Sequence, residues 1–202
     1  FLQNAGFCII DQLPVNQYGQ VDPDDVRKMI RSDTVLVSVI YGNNEIGTIN
    51  PIPEIARVCK EKGIPFHTDA TQYVAHNQID FGNSEISMMN IAAHKCYGPK
   101  GTGAILLGNG VENFLPFIHG GKQENGKRAG THNVPYIVGM AAAYQILDNE
   151  FDKRIAFERQ KRDLLIQLIS ENIPDCLLTG HPTERLTNHA SFAFKGIDSL
   201  VL

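Results

Sequence analysis

The stretch AAHKCYGPKGTGAILL, residues 92 to 107, sets Lys95 between a histidine and a cysteine at the head of a glycine-rich turn. A lysine amine does covalent chemistry when partial desolvation or a neighbouring charge keeps a useful fraction of it neutral, and its natural partner is an aldehyde. A turn at the end of an apolar strand offers that setting. Taken alone, a lysine is far more often a solvated cation, because charged side chains are mostly exposed. The chemistry therefore has to be judged on what else the chain brings to the same place.

Pyridoxal phosphate is the aldehyde cofactor to test first. It needs an acid near its ring nitrogen, because a protonated pyridinium draws electrons from a carbanion. Asp69, closing IPFHTDA (64 to 70), is the candidate. Asn44 of GNNEIG and Gln72 of DATQ could donate hydrogen bonds to the ring oxygen, and His94 could meet a phosphate. Plainer readings stand beside each. Asp69 could cap a helix starting at Ala70 or Thr71, and Gln72 could be a surface amide. Asn44 could serve its turn, His94 could satisfy a backbone carbonyl, and His67 could be an ordinary strand residue at the sheet edge. Cys96 reads more readily as a small buried hydrophobe than as a nucleophile.

The elements that must position these groups alternate along the chain. FCIIDQLPV (7 to 15) is expected as a short apolar strand, and DPDDVRKMI (22 to 30) as a helix capped by Asp22 with Pro23 at its first position. TVLVSVIYG (34 to 42) is β-branched and continuous, as in a strand buried on both faces. PIPEIARVCKEKG (51 to 63) is an amphipathic helix closed by Gly63. IPFHTDA, ISMMNIAA and GAILLG are expected as further strands, the last two flanking the HKCYGPKGT turn. VPYIVGMAAAYQILD (134 to 148) and FDKRIAFERQKRDLLIQLISENI (151 to 173) read as two helices, and CLLTG and HASFAFKG as strands of a second, smaller unit.

That order predicts an α/β fold with a mostly parallel sheet flanked by helices, followed by the start of a smaller α+β C-terminal domain. The boundary is placed near Asn149, giving units 1–149 and 150–202. Ligands in such sheets gather beyond the carboxyl ends of the strands. Asn44, Asp69, Gln72, His94 and Lys95 all fall at such ends.

Four segments together, YGNNEIGT, HTDATQ, AAHKCYGPKGTGAILL and HGGKQENGKRAGTHNVPYIVGMAAA, closely resemble the cysteine desulfurases, class V aminotransferase-fold enzymes that use pyridoxal phosphate. The likeness covers roughly residues 20 to 200 and is specific because four separate motifs agree in order and spacing. The resemblance implies the large-domain fold of pyridoxal-phosphate-dependent transferases. It implies that Lys95 forms the imine with the cofactor, that Asp69 pairs with the pyridine nitrogen, and that Gln72 and Asn44 contact the ring hydroxyl. His94 would lie by the phosphate, and Thr131 of RAGT would reach the phosphate of the neighbouring subunit in a homodimer. Such enzymes take sulfur from L-cysteine as an enzyme persulfide, release L-alanine, and supply an iron-sulfur scaffold protein or another sulfur acceptor, including tRNA thiolation. A selenocysteine lyase, an aminotransferase, or a non-catalytic fragment are the alternatives.

Two departures stand out. Ala92 occupies a position where the family often carries Ser, and Lys122 interrupts its GGGQE. The resemblance also implies an upstream phosphate loop, with a histidine that stacks on the ring, and a downstream cysteine that carries the persulfide. The four cysteines, Cys8, Cys59, Cys96 and Cys176, match none of these positions. The chain is thus expected to hold the central portion of such an enzyme and not to complete sulfur transfer alone.

Composition narrows the partners. The balance of 18 Lys and Arg against 22 Asp and Glu, with the basic residues scattered, favours a small-molecule ligand over nucleic acid or a membrane surface. The dispersed cysteines, with no CxxC pair, point to neither a metal site nor a disulfide framework and suit a reducing, cytoplasmic setting. No apolar run in the sequence reaches bilayer length.

Overall fold

In a computed structural model of the chain, residues 3–108, 110, 111, 114–198 and 200 are described. Helix α1 (Pro23–Met29) starts where Asp22 accepts a hydrogen bond from the backbone N–H of Asp24 at 2.8 Å, with Pro23 in the first turn. Helix α2 (Ile52–Glu61) buries Ile52, Ile55, Ala56 and Cys59 on one stripe while Glu54, Arg57 and Lys60 face outward. That spacing of three and four residues places its apolar stripe along the sheet. Gly63, at φ +69°, then reverses the chain in a conformation that a Cβ would strain.

Strands β1 (Val37–Ile40), β2 (Phe66–Asp69), β3 (Met88–Ala92) and β4 (Gly103–Leu107) form one sheet in sequence order. β1, β2 and β3 run parallel, with Ile40 opposite Asp69 and Asp69 opposite Asn90, and β4 returns antiparallel to β3. The mostly parallel α/β sheet read from the sequence is present. Its core lies on one face, where Val37, Val39, Phe66 and Met89 pack with the apolar stripe of α2 and with Leu147. The opposite face carries Ser38, His67, Asp69 and Asn90, which are only half-buried or exposed.

Three expectations are corrected. TVLVSVIYG is a strand only over Val37–Ile40, and its burial alternates. Its second face is not apolar packing but the polar side of the sheet, so Ser38 stays exposed. FCIIDQLPV forms no strand: Phe7 and Ile9 are 77% and 75% exposed, and no neighbouring strand pairs with them. An apolar run becomes a strand only when an edge accepts its backbone hydrogen bonds, and Pro14 lacks the donor to help. The two helices expected on either side of Asn149 are one, α3 (Val134–Asn172), 39 residues long. No glycine or proline lies between Gly139 and Asn172, so nothing in the backbone stops the helix at LDNEFD.

A second, two-stranded antiparallel sheet joins β5 (Cys176–Leu178) and β6 (Phe192–Phe194), within the expected strands CLLTG and HASFAFKG. Residues 199, 201 and 202 lie outside the described residues. Among the described residues no helix is long and apolar enough to cross a membrane.

Thr68 sits fully buried on the apolar face of the central strand β2, and its hydroxyl has no hydrogen-bond partner among the described residues. An orphaned buried hydroxyl costs about 1–3 kcal/mol. Thr68→Val, similar in shape and β-branched, is expected to raise the thermal midpoint by several degrees, as expected for a gain of about 1 kcal/mol. A calorimetric melt showing an unchanged or lower midpoint would contradict this account of the core.

Candidate active site

The parallel register brings three strand ends to one edge. The Tyr41 N–H, just past β1, donates to the Asp69 carbonyl at 2.9 Å, and the Ala70 N–H, just past β2, donates to the Asn90 carbonyl at 3.1 Å. The loop after β1 carries Asn44, β2 ends at Asp69 with Gln72 in the turn that follows, and the 3-10 turn after β3 (Ala93–Cys96) carries His94 and Lys95. Five of the six residues singled out in the sequence therefore share this edge. Thr131 does not: it is exposed on the loop preceding α3, where its neighbours Arg128 and His132 both reach Glu124.

Asp69 is held by two donors on one oxygen. Its Oδ1 accepts from the Thr71 backbone N–H at 2.9 Å and from Asn90 Nδ2 at 3.0 Å. The first bond is the turn-capping role weighed for Asp69; the second comes from the neighbouring strand. No protein donor reaches Oδ2 among the described residues, so one carboxylate oxygen remains free for a ligand.

Gln72 is half-buried and leads into the 3-10 turn Tyr73–Ala75. Tyr73 stacks on Tyr41 with centroids 3.5 Å apart and planes at 7°, which ties this turn to the end of β1. Burial between the rings and the core pushes the Tyr41 phenol far above its ordinary range, so it stays neutral. Asn44 is exposed, and its carbonyl accepts from His189 Nε2 at 3.1 Å. Its loop is pinned further by Arg185, which donates to the carbonyls of Ile46 at 3.2 Å and Thr179 at 2.9 Å.

Lys95 and His94 are both exposed on their turn, while Ala93 and Cys96 on either side are buried. Burial raises the Cys96 thiol above its ordinary pKa, in keeping with a packed hydrophobe rather than a reactive thiolate. Tyr97 closes the turn at φ 62°, a left-handed conformation unusual for a residue with a side chain, and Gly98 follows where a Cβ would come within 2.9 Å of the Ala93 side chain. The turn is thus tightly specified, and it presents Lys95 outward.

The geometry reveals two residues that the sequence reading underrated. His67 is not an edge residue but spans the sheet, meeting Ser38 Oγ at 2.8 Å and Asn90 Oδ1 at 2.7 Å. Asn90 was missed altogether. Its signal is a single polar side chain within the apolar run MMNIA, on the same strand face as Asp69 in register.

This donor set suits pyridoxal phosphate. A fixed carboxylate with one free oxygen, an exposed amine on a rigid turn, and amide and imidazole donors at the same strand ends match the groups of its ring, aldehyde and phosphate. The sheet and these strand ends define an α/β fold of the pyridoxal-phosphate-dependent transferase type. The chain belongs to the aminotransferase class-V family, whose model matches residues 2–201. It is 44% identical over 198 residues to the protein named cysteine desulfurase IscS of Dictyoglomus turgidum, which covers 98% of this chain and 50% of that protein. A solved NifS-like protein superposes with a TM-score of 0.88 at 34% identity, over 97% of this chain and 53% of that one. SspA in complex with cysteine matches with a TM-score of 0.67 at 37% identity, over 77% of this chain and 47% of that one. The chain spans about half the length of each.

The turn bearing Gln72 is also fastened to α3. His76 Nδ1 contacts Glu158 Oε2 at 2.8 Å, Thr187 Oγ1 donates to the same oxygen at 2.8 Å, and Arg154 reaches the Ala75 carbonyl. Burial lowers the His76 pKa below the ordinary 6.5, with Glu158 opposing the shift only in part. The folded state therefore binds its proton later than the unfolded chain as pH falls. The resulting contribution is intact above the unfolded value and is lost as pH falls below about 6.5. Urea midpoints of the wild type are expected to drop between about pH 7.5 and pH 5, with a shallower drop in His76→Gln. Equal slopes would exclude His76 as a source of that dependence.

Proposed function

We propose that this chain provides the pyridoxal phosphate site of a cysteine desulfurase, which takes sulfur from L-cysteine as an enzyme persulfide and releases L-alanine. The observation that carries this reading is the free Oδ2 of Asp69, held at the same strand edge as the outward-facing turn of Lys95. The names of the relatives support it, as does the cysteine bound by SspA.

In this reading Asp69 meets the ring nitrogen and keeps it protonated, and Lys95 holds the aldehyde carbon. Gln72 and Asn44 donate to the ring hydroxyl, and His94 lies by the phosphate. When bound, the cofactor supplies an electron sink for charge developing next to the substrate amine. With the substrate bound, the Lys95 amine would be the base at hand for protons at the carbon next to the substrate amine. The tight turn that holds it limits where its amine can go. Thr131 reaches the phosphate of the neighbouring subunit in a homodimer.

The domain division follows the same reading, with residues 1–149 forming the cofactor domain and 150–202 beginning the smaller one. The enzyme passes its sulfur to an acceptor such as an iron-sulfur scaffold protein, in the cytoplasm. Four free cysteines fit that reducing setting.

Adding pyridoxal phosphate to the purified chain is expected to produce a visible absorption band, and borohydride should fix the cofactor to the peptide containing Lys95. Lys95→Ala should lose both, while Asp69→Ala should weaken cofactor affinity by tenfold or more, roughly the value of a charge-assisted bond. L-cysteine should alter the band. A wild-type chain that gives no band refutes the cofactor assignment, and one that responds equally to L-alanine and L-cysteine refutes the substrate.

A further inference from the structure

Four polar side chains on three adjacent strands form one hydrogen-bonded line across the open face of the sheet. Ser38 on β1 lies opposite His67 on β2, and their side chains meet at 2.8 Å. His67 Nε2 then meets Asn90 Oδ1 on β3 at 2.7 Å, and Asn90 Nδ2 returns to Asp69 Oδ1 on β2 at 3.0 Å. The same Nδ2 also reaches Thr71 Oγ1 at 3.2 Å.

The chemistry of these groups allows one direction. A carboxylate only accepts, so Asn90 must turn its amide N–H toward Asp69 and its carbonyl toward His67. A flipped amide would set two acceptors against each other. With Asn90 accepting, His67 Nε2 must carry the proton and donate it. In the neutral ring Nδ1 is then an acceptor, which the Ser38 hydroxyl satisfies. Each bond fixes the orientation of the next, and the last one lands on the carboxylate.

We propose that Asn90 is a positioning residue for the cofactor, with His67 and Ser38 orienting its amide so that Asp69 presents Oδ2, and not Oδ1, to the ring nitrogen. The proposal rests on the assignment of Asp69 given above and adds the device that aims it. The Thr71 N–H by itself ties the carboxylate only to its own turn. Asn90 anchors it to the neighbouring strand as well. Aspartates that grip a ligand work best when their own rotamers are locked by such surrounding contacts.

The test compares pyridoxal phosphate with 1-deazapyridoxal phosphate, in which carbon replaces the ring nitrogen. Both keep the aldehyde, hydroxyl and phosphate, so the change in the ratio of their dissociation constants from wild type to variant reports the nitrogen contact. The wild-type chain should favour the natural cofactor. Asn90→Leu, close in shape and without donors, should cut that preference by roughly tenfold while leaving affinity for the deaza analogue nearly unchanged. His67→Phe, which keeps a flat ring but lets the amide turn, should cut it by about threefold, as for loss of a weaker neutral bond. A thermal melt checks each variant, and His67→Phe decides the question if Asn90→Leu does not fold. A preference unchanged from wild type in the folded variants overturns the role of Asn90 and leaves the cofactor reading standing. A wild-type chain with no preference overturns the Asp69 contact itself, and this inference with it.

Discussion

The strand-end site depends on the parallel register that puts Asp69 beside Asn90. Shifting β3 by one residue against β2 would turn Asn90 into the apolar core and bring Met89 to the open face, because successive side chains on a strand point to opposite sides. The core enforces the register. Val37, Val39, Phe66 and Met89 must all face α2 and α3, and their alternation leaves Ser38, His67, Asp69 and Asn90 no choice but the other face. The hydrophobic side of the sheet thus aligns the polar side without touching it.

The site is framed by connections whose rigidity comes from different sources. The turn after β2 is clamped by an aromatic stack, Tyr41 on Tyr73, and by the polar group of His76, Glu158 and Thr187 that reaches α3. The loop after β1 is held from the segment before β6 by Arg185 and His189. The turn after β3 relies on its own backbone, with Tyr97 in a left-handed conformation and the buried Ala93 and Cys96 as anchors. A cofactor bound here would meet turns whose backbones are already held, which spares it the entropy of ordering them.

The long helix α3 links the two sheets physically. Its first half packs Leu147 into the main core, while Glu158 and Arg162 meet the segment that leads to β6. The boundary expected near Asn149 falls inside this helix, since a helix stops at a missing N–H or at a residue needing positive φ. Neither is present there. The apolar stretch FCIIDQLPV erred in the opposite way, since β propensity is expressed only against a partner.

What the sequence determined by itself was local and chemical: the caps and stripes of α1 and α2, the strands Phe66–Asp69, Met88–Ala92 and Gly103–Leu107, and the grouping of Asn44, Asp69, Gln72, His94 and Lys95 after apolar runs. These follow from spacing, and spacing is visible in a string of letters. Tertiary structure alone decided which strands are neighbours, in which register, and which face is covered. From that came the role of His67 and the existence of Asn90 as a partner of Asp69, residues 21 positions apart along the chain and one hydrogen bond apart in space. A hydrogen bond between strands is set by how the whole sheet packs, so no local pattern announces it.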